Sequence, residues 1–246
     1  LEIKHRVIGG GEPLICVPVV EQDAQSVIRE ITYLSQSTAD MIEWRVDAFR
    51  DFTDYNAIRS VFEAVAPLLG EKLFLYTFRT AHQGGMAQVK AEQLDDLHDL
   101  AAESGCVDLV DLEFFEEDRP LHKIKRLREM GVSVIASHHD FEQTPSPEVM
   151  KMLLEKMCAG GADIVKLAVM PQNYKEVLNL LDVTAQFREE NPDTPVITMS
   201  MGSLGGISRI SGETFGAHEK PSAPGQFAMK ELRQMLDTIH ASSQIQ

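Results

Sequence analysis

Seven short apolar runs recur along this chain at intervals of roughly 30 residues, the length of one strand-plus-helix unit. They are Leu14 to Val20, Met41 to Val46, Lys72 to Phe78, Val107 to Phe114, Ser133 to Ser137, Asp163 to Val169 and Pro195 to Met201. Helical patterns separate them, among them Ala24 to Leu34, Gln88 to Ala102, Leu121 to Met130, Glu148 to Cys158, Tyr174 to Glu189 and Phe227 to His240. Strands that read apolar at nearly every position are covered on both faces, as parallel strands flanked by helices are. A weaker eighth run around Thr214 to Ala217 brings the count to that of a closed (β/α)8 TIM barrel. The alternative, an open doubly wound sheet, lacks its Gly-x-Gly-x-x-Gly signature after the first strand. Ile3 to Ile8, followed by Gly9-Gly10-Gly11, fits a short hairpin closing the barrel floor. No linker, low-complexity segment or charge block divides the chain, so residues 1–246 read as a single barrel domain.

Length alone, 246 residues, admits one large α/β barrel or two small domains. A net charge of −15 argues against nucleic acid and anionic membrane surfaces as partners, while a few convergent arginines can still hold an anionic small molecule. Cys16, Cys106 and Cys158 are odd in number, far apart and without a Cys-x-x-Cys, which fits reduced thiols in a cytoplasmic protein. There is no run of transmembrane length and no signal-peptide core at the start. The chain opens on Leu1, which reads as a trimmed or partly recorded start.

One charge interrupts the apolar strands. Lys166 lies inside Ile164-Val165-Lys166-Leu167-Ala168-Val169, where an ammonium is costly unless paired or deprotonated. A buried ion pair or a snorkelling side chain is one reading. The other is a lysine whose pKa is depressed so that its neutral amine attacks a carbonyl. In a barrel the active site lies at the C-terminal strand ends, and unusual polar residues gather there. Glu43, Arg45 and Asp47, spaced by two, share a strand face, where Glu43 and Arg45 would pair with each other or with a polyhydroxylated ligand. Arg79 ends the third strand, ahead of Gln83-Gly84-Gly85. The fifth ends in His138-His139-Asp140. Adjacent residues of a strand point opposite ways, so one histidine faces the site as a general acid/base. A metal held by a histidine with Asp140 or Glu113 lacks zinc-type ligand spacing, and no metal is expected. Arg209 follows a glycine-containing loop suited to an anionic group. Lys220 to Gln226 reads as a lid with Ser222 and Gln226 as neutral donors. One buried lysine, one histidine and three arginines, with neighbouring cations acting further on the lysine, describe a Schiff-base enzyme for a carbonyl substrate bearing an anionic group.

These residues resemble a known family. Glu43-Trp44-Arg45-Val46-Asp47, Thr77-Phe78-Arg79, Ser137-His138-His139-Asp140-Phe141, Val165 to Pro171, Ile197 to Gly202 and Ser222-Ala223-Pro224-Gly225-Gln226 are similar, in order and over nearly the whole chain, to type I 3-dehydroquinate dehydratase. The resemblance implies a (β/α)8 barrel, a homodimer, and a shikimate-pathway activity without metal or cofactor. It implies that Lys166 forms an imine with the C3 carbonyl of 3-dehydroquinate. His139, not His138, would be general base at C2, then general acid for the departing C1 hydroxyl. Glu43, Arg45 and Arg79 would hold the ring hydroxyls, and Arg209, Ser222 and Gln226 the carboxylate and its lid.

Two departures stand out. Gln83 occupies a position where the family usually carries glutamate beside the catalytic histidine. The amide keeps a hydrogen-bonding carbonyl and loses the charge, so His139 should titrate lower and the enzyme be slowed. Ser208-Arg209-Ile210-Ser211-Gly212-Glu213-Thr214-Phe215-Gly216-Ala217 is also about six residues shorter than the family pattern of a barrel's seventh unit. Either that connection is tightened or the sequence skips a piece. Two other classes share part of this pattern: a lysine-dependent aldolase-type lyase, and a binding-only relative that senses dehydroquinate.

Overall fold

The computed structural model describes residues 1–10, 13–209, 214–216 and 228–243, with 214–216 and 239–243 described by backbone alone. A hairpin, β1 (Glu2–Ile3) and β2 (Arg6–Val7), is antiparallel. Then come β3 (Leu14–Val19), α1 (Ala24–Ser35), β4 (Met41–Arg45), α2 (Tyr55–Leu69), β5 (Leu73–Thr77), α3 (Ala91–Glu103), β6 (Leu109–Glu113) and α4 (Pro120–Glu129). They are followed by β7 (Ser133–Asp140), α5 (Pro147–Ala159), β8 (Ile164–Val169), α6 (Tyr174–Glu190), β9 (Val196–Ser200), a 3₁₀ helix Ser203–Arg209, β10 (Thr214–Gly216) and α7 (Met229–Ser243). All ladders of the large sheet are parallel, in the order β10-β3-β4-β5-β6-β7-β8-β9. This is a (β/α)8 barrel. The eighth strand falls where the weak run was read. Among the described residues the seventh unit carries a 3₁₀ helix and no α-helix, and residues 201–213 separate β9 from β10.

The strand pattern splits the core in two. In β8, Val165, Leu167 and Val169 pack outward with the helices, while Ile164 joins an inner cluster. The same alternation sends Leu14, Met41, Leu73, Leu109, Ile135 and Ile197 inward from their strands. These form an apolar floor, and Ile8 packs onto it with Ile3 partly covered. The hairpin thus closes the bottom as expected. Its turn places Lys4 and His5 at positive φ, and it is tied down by Lys4 to Asp108 and Arg6 to Asp40, each 2.8 Å.

The helices cover the outer face for ordinary reasons. In α1, Asp23 caps the first turn by accepting from the Ser26 N–H at 2.9 Å. Val27, Ile31 and Leu34 then recur on one stripe and are fully buried. Each such side chain contributes about 1.5–3 kcal/mol by burial. α2, absent from the helices read by periodicity, buries Ile58, Val61, Phe62, Val65 and Leu69 and carries Pro67 near its end. No helix among the described residues is long and apolar enough to cross a membrane.

Candidate active site

Above the apolar floor, the same inward faces turn polar toward the C-terminal strand ends. Period-two spacing carries Glu43 and Arg45 inward from β4, Thr77 from β5, Asp111 and Glu113 from β6, Ser137 and His139 from β7 and Lys166 from β8. Register then brings them together. Ser137 pairs with Lys166 and with Glu113 across its two ladders, and Thr77 pairs with Asp111.

Lys166 is buried, and its Nζ donates to Asp111 Oδ2 at 3.0 Å. The same oxygen takes Arg79 at 2.9 Å, and Asp111 Oδ1 accepts from the Ser137 hydroxyl at 2.6 Å. Burial alone would raise the Asp111 carboxyl. Arg79, then Lys166 and His139, outweigh it and hold the group well below the usual carboxylate range. Arg79 also donates to Glu113 at 2.9 Å and Ser137 at 3.1 Å. Glu113 completes its set with the Thr80 N–H and hydroxyl at 2.9 and 2.6 Å. The lysine is therefore both a buried ion pair and a residue of the site. The cations expected around Lys166 are accompanied by a carboxylate, Asp111, that balances them.

His139 is positioned by Gln83, whose side chain is 1% exposed. Gln83 Oε1 accepts from the His139 backbone N–H at 2.8 Å and lies 3.0 Å from its ring Nδ1. A backbone N–H can only donate, so the amide oxygen must be the atom that faces it. The same oxygen then requires Nδ1 to carry the proton, which leaves the Nε2 lone pair available as a base. Burial, then Arg79 and Lys166, push the His139 imidazole well below its ordinary range, with Asp111 opposing them. His138 points the other way, edge-on to the Phe115 ring at 5.4 Å.

The loop carrying Gln83 is built on Asp47. The strand β4 ends at Arg45, so Asp47 lies in a 3₁₀ turn (Val46–Ala48) and not on the strand face that spacing predicted. From there it forks onto Arg45 with two 2.8 Å bonds and accepts from the N–H groups of Arg79 at 3.2 Å and Met86 at 3.0 Å. Arg45 thus pairs with Asp47, and Glu43 accepts from Thr77 at 2.7 Å. The expected Glu43–Arg45 pair is replaced by these two. Gly84, at φ 83°, takes the left-handed turn after Gln83. A Cβ on Gly85 would lie 1.8 Å from the Arg79 carbonyl oxygen, so only glycine lets the loop close there.

Glu43, Arg45, Arg79, Gln83, His139, Lys166 and Arg209 line one cleft open to solvent. Arg209 enters from the 3₁₀ helix after β9, buried, with its guanidinium 3.7 Å from Met199 Sδ. Burial lowers it from its ordinary value. Ser222 and Gln226 lie outside the described residues. Asp111, Glu113 and Asp47 hold the site together, yet Asp111 is not among the residues the sequence singled out. The signal was present: in Leu109-Val110-Asp111-Leu112-Glu113 the two acids fall on alternate positions of an apolar strand, as Lys166 does.

A model of the type I 3-dehydroquinase family matches residues 15–243. The chain belongs to the type I 3-dehydroquinase family. A 3-dehydroquinate dehydratase of Syntrophotalea carbinolica is 40% identical over 247 residues, covering 98% of each chain. The crystal structure of 3-dehydroquinate dehydratase from Geobacillus kaustophilus superposes with a TM-score of 0.95 at 32% identity, over 98% of this chain and 96% of that one. The type I enzyme from Clostridium difficile, solved with covalently modified comenic acid, gives 0.94 at 35% identity, over 98% of both chains. Gln83, where the resemblance implied a lost charge, has a defined place beside His139. It preserves the acceptor that fixes the histidine tautomer and withholds the charge that would favour imidazolium. Residues 210–213, on which the shortening falls, lie outside the described residues; the 3₁₀ helix before them brings Arg209 to the cleft.

Proposed function

We propose that this chain is a carbon–oxygen lyase that removes water from 3-dehydroquinate through an imine on Lys166, giving 3-dehydroshikimate in the shikimate pathway. The observation that supports this most directly is the shared cleft. Lys166 and His139 project inward from adjacent paired strands into one opening, the first held by Asp111 and the second in its Nδ1–H tautomer by Gln83.

His139 takes a proton from the Lys166 ammonium, Nζ adds to the C3 carbonyl, and the proton returned to the carbinolamine hydroxyl lets it leave as water, giving the protonated imine. That cation stays beside Asp111, which was already paired with the ammonium, so charge at this position is stabilised throughout. His139 Nε2 takes a proton from C2, and the C–H electrons flow into the imine to form an enamine. The enamine expels the C1 hydroxyl, which leaves as water with the proton returned from His139. Water then hydrolyses the imine and frees Lys166. Arg209 receives the substrate carboxylate, with Ser222 and Gln226 as its lid, and Glu43 and Arg45 meet the ring hydroxyls. Arg79 is already engaged by Asp111, Glu113 and Ser137. We assign it first to holding those carboxylates and only secondarily to substrate. No cofactor enters this scheme. The comparisons lend no support to the aldolase or binding-only alternatives.

Borohydride reduction in the presence of 3-dehydroquinate should leave a stable adduct on Lys166, located by peptide mass, alongside absorbance from the conjugated product. Absence of both adduct and product would sink the assignment. Replacing Gln83 by glutamate should raise the His139 pKa, because a carboxylate at Oε1 favours the imidazolium. The acid limb of the kcat/KM profile should move to higher pH, and kcat near neutrality should rise by up to about tenfold. An unchanged pH profile would show that the charge at position 83 does not matter. We further propose one barrel domain acting as a cytoplasmic homodimer. The three free cysteines, Cys16, Cys106 and Cys158, suit a reducing compartment, and sedimentation of the purified protein tests the dimer.

A further inference from the structure

Gln83 is a bridge with two ends. Its oxygen is committed to His139, by the backbone N–H and by Nδ1. Its Nε2 points the opposite way and donates to Glu116 Oε1 at 3.5 Å. Glu116 is held in the turn after β6, where its N–H donates to the Glu113 carbonyl at 3.0 Å, and its side chain is exposed at the rim. A carboxylate that a glutamate at position 83 would place against the ring is therefore present one residue further out.

We propose that Glu116 is a positioning residue for His139: it locks the Gln83 amide with its oxygen toward the histidine and passes its negative charge to the ring through that amide. This rests on the dehydratase reading above. Two physical effects combine. The carboxylate takes the far amide N–H while the His139 backbone N–H holds the oxygen, so the Gln83 amide, and with it the Nδ1–H tautomer, is fixed from both ends. It also polarises the amide, which makes Oε1 a stronger acceptor and stabilises the imidazolium formed when His139 takes the C2 proton.

The electrostatic surroundings give such a charge something to offset. His139 is faced by Arg79 from the loop after β5, Lys166 from β8 and Arg45 from β4, with Asp111 from β6 as the opposing carboxylate. Burial, with Arg79 and Lys166, outweighs Asp111 and leaves the imidazolium disfavoured. On its outer side Glu116 also faces His138, which Asp140 faces as well, so the measurement must resolve the two histidines.

The experiment combines kinetics with NMR of the full chain carrying isotope-labelled histidine, the His139 resonance being assigned by its loss in His139→Gln. In Glu116→Gln, kcat at neutral pH should fall about threefold to tenfold with KM little changed. The acid limb of kcat/KM and the NMR midpoint of His139 should both move down by about half to one pH unit. Glu116→Asp should recover part of both. In a Gln83→Glu background, where the charge is supplied directly, adding Glu116→Gln should cost nothing. An unmoved His139 titration in Glu116→Gln, or the same kcat loss in both backgrounds, would overturn the relay and leave Glu116 a rim residue. The NMR titration needs no turnover. It therefore reports on the relay even if the absence of an imine adduct were to remove the dehydratase reading.

Discussion

Lys166→Met should abolish dehydration while the barrel stays folded. Methionine fills much the same volume on β8, and the apolar neighbours Val165, Leu167 and Val169 keep their outward packing. Asp111 loses one of its two cations but retains Arg79 at 2.9 Å and Ser137 at 2.6 Å, so it is not left as an unpaired buried charge. The chemistry has no such reserve. Without the amine there is no imine, and the C2 proton must be removed with only the ketone as electron sink. A loss in kcat of at least roughly a thousandfold is expected, in line with removal of a group that acts as a covalent unit. Circular dichroism and thermal melting should show a folded protein, and borohydride should trap nothing. Retention of even a tenth of the activity by the folded variant would mean that another nucleophile carries the reaction.

Most of the barrel was legible because parallel strands buried on both faces leave a plain mark, apolar runs at a fixed interval, and because one charge inside such a run is conspicuous. Strand ends were read to within two residues or so, except that β7 continues through His139 to Asp140. The site was legible wherever a residue stood alone against its surroundings, as Lys166 and His139 do. It was less legible where function lies in pairing. Nothing in the order Glu43-Trp44-Arg45-Val46-Asp47 tells that the chain leaves the strand after Arg45 and folds Asp47 back onto it. That turn decides that Arg45 meets Asp47 and Glu43 meets Thr77. Likewise Gln83 reads as a lost charge in the sequence. Its contact with Glu116, 33 residues later, exists only because β5 and β6 are neighbours and each sends its following loop to the same rim.

Asp111→Ala should damage both stability and catalysis, because this carboxylate is where the site's charges are balanced. It is fully buried, and among the described residues it alone contacts Lys166, Arg79 and Ser137 together. Removing it leaves an ammonium and a guanidinium facing one another across a small cavity, with Glu113 as the carboxylate that Arg79 retains. The expected loss is about 3–5 kcal/mol of folding stability, the scale for breaking a buried charge pair. Asp111→Asn separates shape from charge. It keeps an acceptor for Ser137 and should be more stable than the alanine variant, yet it should lose activity to a similar degree because the imine cation has no counter-charge. The pH dependence has a definite sign. The folded-state pKa of Asp111 is depressed, so its contribution is fully present above the unfolded value near pH 4 and is lost as pH falls through the folded one. The stability gap between the parent protein and Asp111→Asn should therefore be constant from about pH 5 upward and narrow progressively below about pH 4. Denaturant unfolding at a series of pH values measures it. A gap that does not change on acidification would mean that Asp111 is not held as a carboxylate by Arg79 and Lys166, and the charge balance assigned to the site would fail with it.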